Sequence, residues 1–543
     1  MRGPVSSTES VPQVVLVGYE DRENLGLRYL LACVRNAGYR AEILRMTRSD
    51  AGLVDRIVRC RPSIIGLSLI FQYMAPEFGN LVEALRRAGL GGHITVGGHF
   101  PSFEYEEVLR RVPGLDSVVR FEGEATLVEL AHRLSAGADW KDVAGIAYRD
   151  GERIIANPLR APEQQLDRLP LPVRDGYDYA AEDPPTAALL GSRGCPWHCS
   201  FCSIRPFYQA QGGRLRRLRE PGAILREMRQ LYAEHDVRVF LFQDDDFLAG
   251  GPTARAWARS VADEIMASEL GGRVAYKINS RSDGIDRGLL EHLRDSGLTH
   301  VYLGVESGDR EDLADMAKRM TPETHLEAGR VLRTLDLSFD FGFMLLQPYS
   351  TLERVRRNIG FLDEFAGDGW SPVTFCRMLP YAGTTMRDRL AADNRLLGSS
   401  FEPDYRFEDP KLDLFYDWMI HAFHQRNFTN DGLGHALRAL CFESRLRLTE
   451  NGFTRVERRF LQHLCAVSNR VATDTLRAAL DIVESTPLPK LSRDGRSLSR
   501  LAEHQRRQDE RLQSELAVLY QAVLGRKRSQ GRRRAVARPL EVA

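Results

Sequence analysis

From residue 13 to about 137, short apolar runs alternate with longer stretches in which Leu, Val, Ala and Ile recur at helical spacing. Residues 13–18, 40–44, 63–69, 93–97 and 116–121 read as five strands, and 24–37, 53–60, 76–88, 104–111 and 125–134 as helices. This alternation predicts a parallel sheet covered on both faces, with ligands at the carboxyl ends of its strands. Residues 145–156 predict a β-hairpin around Asp150-Gly151, and the Pro-rich stretch 158–185 predicts a linker. Strand–helix alternation then returns, with strands at 187–190, 237–242, 274–279, 300–305, 339–346 and 373–378. Beyond 395 only helical spacing remains, at 412–423, 432–448, 455–478 and 499–524. The basic run 526–534 reads as a disordered, solvated end without a nucleic-acid partner. The expected units are 11–140, a hairpin and linker at 141–183, then 184–395, a helical part 396–525 and a tail 526–543.

Composition narrows the class without naming a function. The 543 residues allow two to four domains, and 43% apolar with 27% charged content is ordinary for a globular chain. A formal net charge of +1 supplies no global field for nucleic acid or an anionic membrane. No apolar run approaches the ~18 residues of a membrane span, and residues 1–13 lack the apolar core of a secretion signal. Eight cysteines, three of them clustered, suit a reducing compartment rather than a disulfide framework. A cytoplasmic monomer is the expectation.

The clustered three carry the chemistry. Cys195, Cys199 and Cys202 stand in C-x3-C-x2-C spacing directly after the apolar run 186–190, so their thiolates approach one metal centre from a single loop. Structural zinc and electron-transfer clusters usually take four protein ligands. Three leave one iron of a 4Fe–4S cube open to a substrate or cosubstrate. The alternative is a zinc knuckle completed by His198 or a distant residue.

This loop, with Phe201 before its last cysteine, resembles the signature of radical S-adenosylmethionine (SAM) enzymes. The resemblance implies a partial (β/α)6 barrel, SAM chelated to the open iron, and a 5′-deoxyadenosyl radical that abstracts a substrate hydrogen. It implies SAM contacts from Phe201 to the adenine, from Ser280 and Arg281 after the third barrel strand, and from Glu306 after the fourth. Asp244, in the run Asp244-Asp245-Asp246, is a SAM contact or a helix cap; for Asp246 capping is the reading. The turn 378–384 resembles the P-x-P-G-T closure of the last strand, whereas 346–351 departs from the usual G-x-P-G-E-T loop.

The preceding α/β unit resembles the cobalamin-binding domain of a large radical SAM subgroup. Its carriers are Ser68, the pair Gly97-Gly98 and the loop Glu122-Gly123-Glu124. Cobalamin contacts are implied at these residues and at Leu25 and Gly26. The hexad Asp21-Arg-Glu23-Asn-Leu-Gly26 has Glu23 where classical cobalamin domains place a cobalt-binding histidine. The lower face of the cobalt is therefore expected to lack a protein imidazole.

The fold class is thus α/β: a Rossmann-like, flavodoxin-type cobalamin domain, a radical SAM barrel and a helical C-terminal part. The expected cofactors are a 4Fe–4S cluster, SAM and cobalamin. The expected activity is methylation of an unactivated carbon (or phosphinate phosphorus) of a small metabolite in a bacterial pathway, through methylcobalamin. A flavodoxin or ferredoxin would donate electrons. The alternatives are a cyclisation, ring contraction or rearrangement on the same cofactors, and a non-enzymatic metal- or cobalamin-binding regulator. A methylthiotransferase needs a second cysteine trio, which the isolated Cys33 and Cys60 do not provide.

Overall fold

The computed structural model describes residues 13–47, 52–446, 453–493 and 495–536. The first sheet contains β1 (Val14–Tyr19), β2 (Ala41–Met46), β3 (Ile64–Ser68), β4 (His93–Gly97), β5 (Ser117–Val119), β6 (Ile146–Asp150) and β7 (Arg153–Ala156), in the order β2-β1-β3-β4-β5-β6-β7. Neighbours among β1 to β5 are parallel. Helices on both faces bury Val14 to Val17 to 1% exposure or less, which is why these strands read as unbroken apolar runs. The 2-1-3 order opens a crevice above the ends of β1 and β3, the switch point where such sheets bind ligands.

The hairpin β6–β7 departs from the expected free connection. Its first strand pairs antiparallel with β5, extending the sheet by two strands. Ile146 and Ala147 are fully buried there, so apolar side chains and a sheet edge are covered together.

The second sheet runs β8 (Thr186–Leu189), β9 (Val239–Phe242), β10 (Ala275–Arg281), β11 (Leu298–Glu306), β12 (Ser338–Leu346) and β13 (Cys376–Arg377), in that spatial order, all parallel. It is the expected half-barrel, with a short last strand. Val373 donates its N–H to Asn469 Oδ1 at 2.8 Å, and Asn469 Nδ2 donates to the carbonyls of Ala366 and Ser371. A helix of the C-terminal part thus takes up the Val373 N–H, at the expected start of this strand.

That part comprises helices Pro410–Phe428, Leu433–Ser444, Arg455–Ser485, Leu488–Arg493 and Arg496–Val536. The last one carries the chain beyond 526, where a disordered tail was expected, to Val536; residues 537–543 lie outside the described residues. Among the described residues no helix is long and apolar enough to cross a membrane.

Candidate functional site

The cysteine loop is braced from below by the three consecutive aspartates that follow β9. Asp244 Oδ2 accepts the Gly191 N–H at 2.9 Å and its Oδ1 accepts the Ser192 hydroxyl. Asp245 Oδ2 accepts the Gly194 N–H at 3.0 Å, and Asp246 Oδ2 accepts Trp197 Nε1 at 2.9 Å. Gly194 is required in this turn: its φ is +92°, and a Cβ there would collide with the Leu215 carbonyl. Farther along, Ser200 donates its N–H to the Met316 carbonyl and accepts the Met386 N–H. The loop between the first and last cysteine is therefore fixed from two sides.

Cys195, Cys199 and Cys202 face one cavity of about 380 Å³ at the mouth of the barrel. Burial pushes the thiols of Cys195 and Cys202 up to about 12, and raises Cys199 against the opposing charges of Lys318 and Arg281. Loading a metal centre here must therefore displace protons. Among the described residues no three His, Cys, Asp or Glu side chains close on a single ion. A cube distributes its thiolate ligands over separate irons and needs no such convergence, so the donor set suits an iron–sulfur cluster better than one zinc. His198 is exposed on the outer side of the loop and does not line the cavity.

Phe201, Asp244, Ser280, Arg281 and Glu306 all line this same cavity, but they are engaged differently. Both oxygens of Asp244 are occupied by the loop, so the run serves as a brace, beyond the cap or cofactor contact weighed from sequence. Arg281 is held by Asp283 at 3.0 and 2.9 Å and by the Lys318 carbonyl at 2.6 Å. It lies 4.2 Å from the ring centre of Trp197 and turns its remaining nitrogen toward Cys199 Sγ at 3.5 Å. The Ser280 hydroxyl donates to the Arg281 carbonyl. Phe201, partly buried, packs against the cluster formed by Met316, Met344, Met378 and Met386.

Glu306 is the aimed carboxylate of the set. Its φ is +69°, rare for a residue with a Cβ, and the β11–β12 register shifts between Gly304 and Glu306. Lys318, 2% exposed, donates to the Gly304 carbonyl at 2.9 Å and approaches Glu306 Oε1 at 3.4 Å. Lys318 has no sequence signal; it lies outside every motif.

A second cavity, about 280 Å³, occupies the crevice of the first sheet. Leu25, Gly26, Ser68, Gly97, Gly98, Glu122, Gly123 and Glu124, the positions expected to hold cobalamin, all line it. At Gly98 the φ is +118° and an added Cβ would collide with the Leu69 carbonyl, so only glycine lets β4 turn this tightly. Glu23 faces away from this cavity. It pairs with Arg174 at 2.5 Å, accepts the Tyr179 hydroxyl and takes the Ala188 N–H at 2.9 Å. Glu122 and Glu124 are bound across the domain boundary to Arg193, at 3.3 and 2.7 Å, and Glu122 also to Arg217. Burial alone would raise the Glu122 carboxyl, but hydrogen bonding and charge from Arg217 and Arg193 outweigh it and hold the group low.

In the C-terminal part, Trp418 is in the core, donating to the Leu498 carbonyl, and Tyr416 lies under Arg377. His421, His424 and His463 are exposed. None of these five lines the cysteine cavity.

Comparison with known proteins places the same two units on the chain. The family described as "B12 binding domain" matches residues 13–131, and "Radical SAM superfamily" matches 189–362. An uncharacterized methyltransferase of Pyrococcus horikoshii is 26% identical over 76% of this chain and 86% of its own length. The anaerobic magnesium-protoporphyrin IX monomethyl ester cyclase of Rubrivivax gelatinosus is 30% identical over 64% of this chain. The match spans 63% of that cyclase, under two thirds of its length. Among solved structures, the cobalamin-dependent SAM radical enzyme OxsB, with aqua-cobalamin and SAM bound, superposes with a TM-score of 0.72 at 17% identity. That match covers 94% of this chain and 80% of OxsB, a likeness of fold.

Proposed function

We propose that this chain, which belongs to the cobalamin-binding radical SAM enzymes, is a methyltransferase acting on an unactivated carbon, or a phosphinate phosphorus, of a small metabolite in a bacterial biosynthetic pathway. One observation carries the reading: a single loop borders both cofactor cavities, with Arg193 lining the cobalamin side and Cys195 the cluster side. A methyl carrier and a radical source so close together suit transfer of a methyl group to a substrate radical.

When bound, the cluster and SAM supply a hydrogen-abstracting radical and cobalamin supplies the methyl group. The chain's own residues provide placement. Cys195, Cys199 and Cys202 would hold three irons and leave the fourth to SAM. Glu306, pinned by Lys318, would accept hydrogen bonds from the SAM ribose or a neighbouring atom. Ser280 and Arg281 would meet the SAM carboxylate, and Phe201 the adenine. Leu25, Gly26, Ser68, Gly97 and Gly98 would border cobalamin, with the Glu122–Glu124 loop on its corrin side. Glu23, committed to Arg174 and Tyr179, would not serve as a cobalt ligand in place of the classical histidine. A flavodoxin- or ferredoxin-type donor would supply electrons.

The similarity to a cyclase favours one second reading, a cyclisation or rearrangement on the same cofactors. Incubating the reconstituted enzyme, reductant, methyl-labelled SAM and small-molecule extract of its host separates the two. Label in a new product supports methyl transfer; a new product without label supports the second reading.

A further inference from the structure

Behind the cluster-side cavity the barrel holds a larger one, of about 630 Å³. The two share Gln243, Lys277 and Tyr302, so they adjoin at these side chains inside the barrel lumen. Its wall comes from early positions of the strands, including Lys277 on β10, His300 on β11 and Asp340 on β12. Its floor is the helix Leu433–Ser444, which contributes His435, Arg438 and Phe442. That helix lies outside both family matches, so the floor belongs to the part of the chain most its own.

Most charges on this lining are already committed. Asp340 Oδ1 accepts His300 Nε2 at 2.8 Å, and its Oδ2 lies 3.8 Å from Arg438 Nε. His300 is fixed at its other nitrogen by Ser338 Oγ at 2.9 Å. Arg438 also donates to the Phe341 carbonyl and to Thr374 Oγ1. Glu23 is bound to Arg174, Glu182 and Asp183 are exposed to solvent, and Glu443, half-buried on the floor helix, has a partner of its own.

Lys277 is the exception. It sits where the two cavities join, its ammonium 5.5 Å from the ring centre of Tyr302, and no hydrogen bond or ion pair with a described residue engages it. Among the charges that act on it are the carboxylate of Asp340 and the cations of Arg22 and Arg438. Arg22, solvent-exposed on the loop after β1, borders the same cavity and likewise has no hydrogen bond or ion pair among the described residues. A half-buried ammonium without a hydrogen-bonding or charged partner is costly, and an anion entering the lumen would remove that cost.

We propose that this chamber binds the anionic group, a carboxylate or a phosphate, of the molecule on which the enzyme acts, with Lys277 as its principal counter-ion and Arg22 as the second. The assignment rests on the functional reading above, because the other end of the lumen is the SAM side. It makes the acceptor an acidic small molecule anchored through its charge, with the reacting atom directed toward the barrel mouth.

Calorimetry on the full chain loaded with cluster and cobalamin, using acetate and inorganic phosphate as separate probes, tests it. One or both anions should bind. Lys277→Met should weaken binding at least about tenfold, the effect of losing a charge-assisted contact, and Lys277→Arg should largely preserve it. Asp340→Asn should tighten binding, a gain that misfolding cannot imitate. Preference for acetate or for phosphate tells the two sources apart. Absence of binding by either anion, or equal binding to Lys277→Met and the unaltered chain, overturns the proposal. Cofactor absorbance is read separately: a chain that takes up neither cluster nor cobalamin defeats the functional reading itself, whatever the anions do.

Discussion

Arg193 stands two residues before the first cluster cysteine and pairs with Glu124 of the other domain at 2.7 Å. Its side chain is 9% exposed and that of Glu124 13%, so the pair is largely dehydrated. Through it, the loop that presents the thiols is tied to the loop that borders the crevice of the first sheet. Removing one member of such a pair leaves a buried charge, at a cost of about 3–5 kcal/mol. Arg193→Met should therefore lower stability in denaturant titration by a value in that range and reduce retained cobalamin, read from its absorbance. Arg193→Lys should restore part of both.

Glu122 sets a pH dependence. Its folded carboxyl titrates below the ordinary 4.5, so its contribution to stability is complete above that value and is lost as pH falls through the lower folded one. A Glu122→Gln variant should show a flatter fall of the unfolding midpoint over this acidic window than the unaltered chain, with the difference between them largest near neutrality.

Asp244 tests the brace. Asp244→Ala leaves the Gly191 N–H and the Ser192 hydroxyl without their acceptor, at a cost of about 1–3 kcal/mol. Iron content after anaerobic reconstitution should fall. Asp244→Asn keeps one acceptor oxygen and should retain more iron than the alanine variant.

Lys318 tests how Glu306 is held. Lys318→Met removes the buried ammonium from the Gly304 carbonyl and from Glu306. SAM binding to the loaded enzyme, measured calorimetrically, should weaken about tenfold or more, as expected for a charge-assisted contact. Iron content should stay near that of the unaltered chain.

The sequence was most informative where periodicity and local chemistry agree. The strand His93–Gly97 and the helix Leu53–Cys60 lie on the residues their apolar pattern marks, because burial on fixed faces imposes that pattern. The cysteine spacing and the glycine loops were legible because a converging ligand set and a tight turn each admit few residue types. What was hidden depends on distant partners. Glu23 reads as a substituted cobalt ligand, yet its role comes from Arg174 and Tyr179, about 150 positions away. Asp244 has the same chemistry as a brace or as a cofactor contact, and only its hydrogen bonds distinguish them. At the expected start of the last barrel strand the Val373 N–H goes instead to Asn469, whose side chain looks like any polar position on a long helix.

The central claim is that Cys195, Cys199 and Cys202 hold a 4Fe–4S cluster with one iron left to SAM. Anaerobically reconstituted protein should contain about four irons and four sulfides per chain, and the electron paramagnetic resonance signal of its reduced form should change when SAM is added. Zinc without sulfide, or a reduced cluster whose signal is indifferent to SAM, would contradict it.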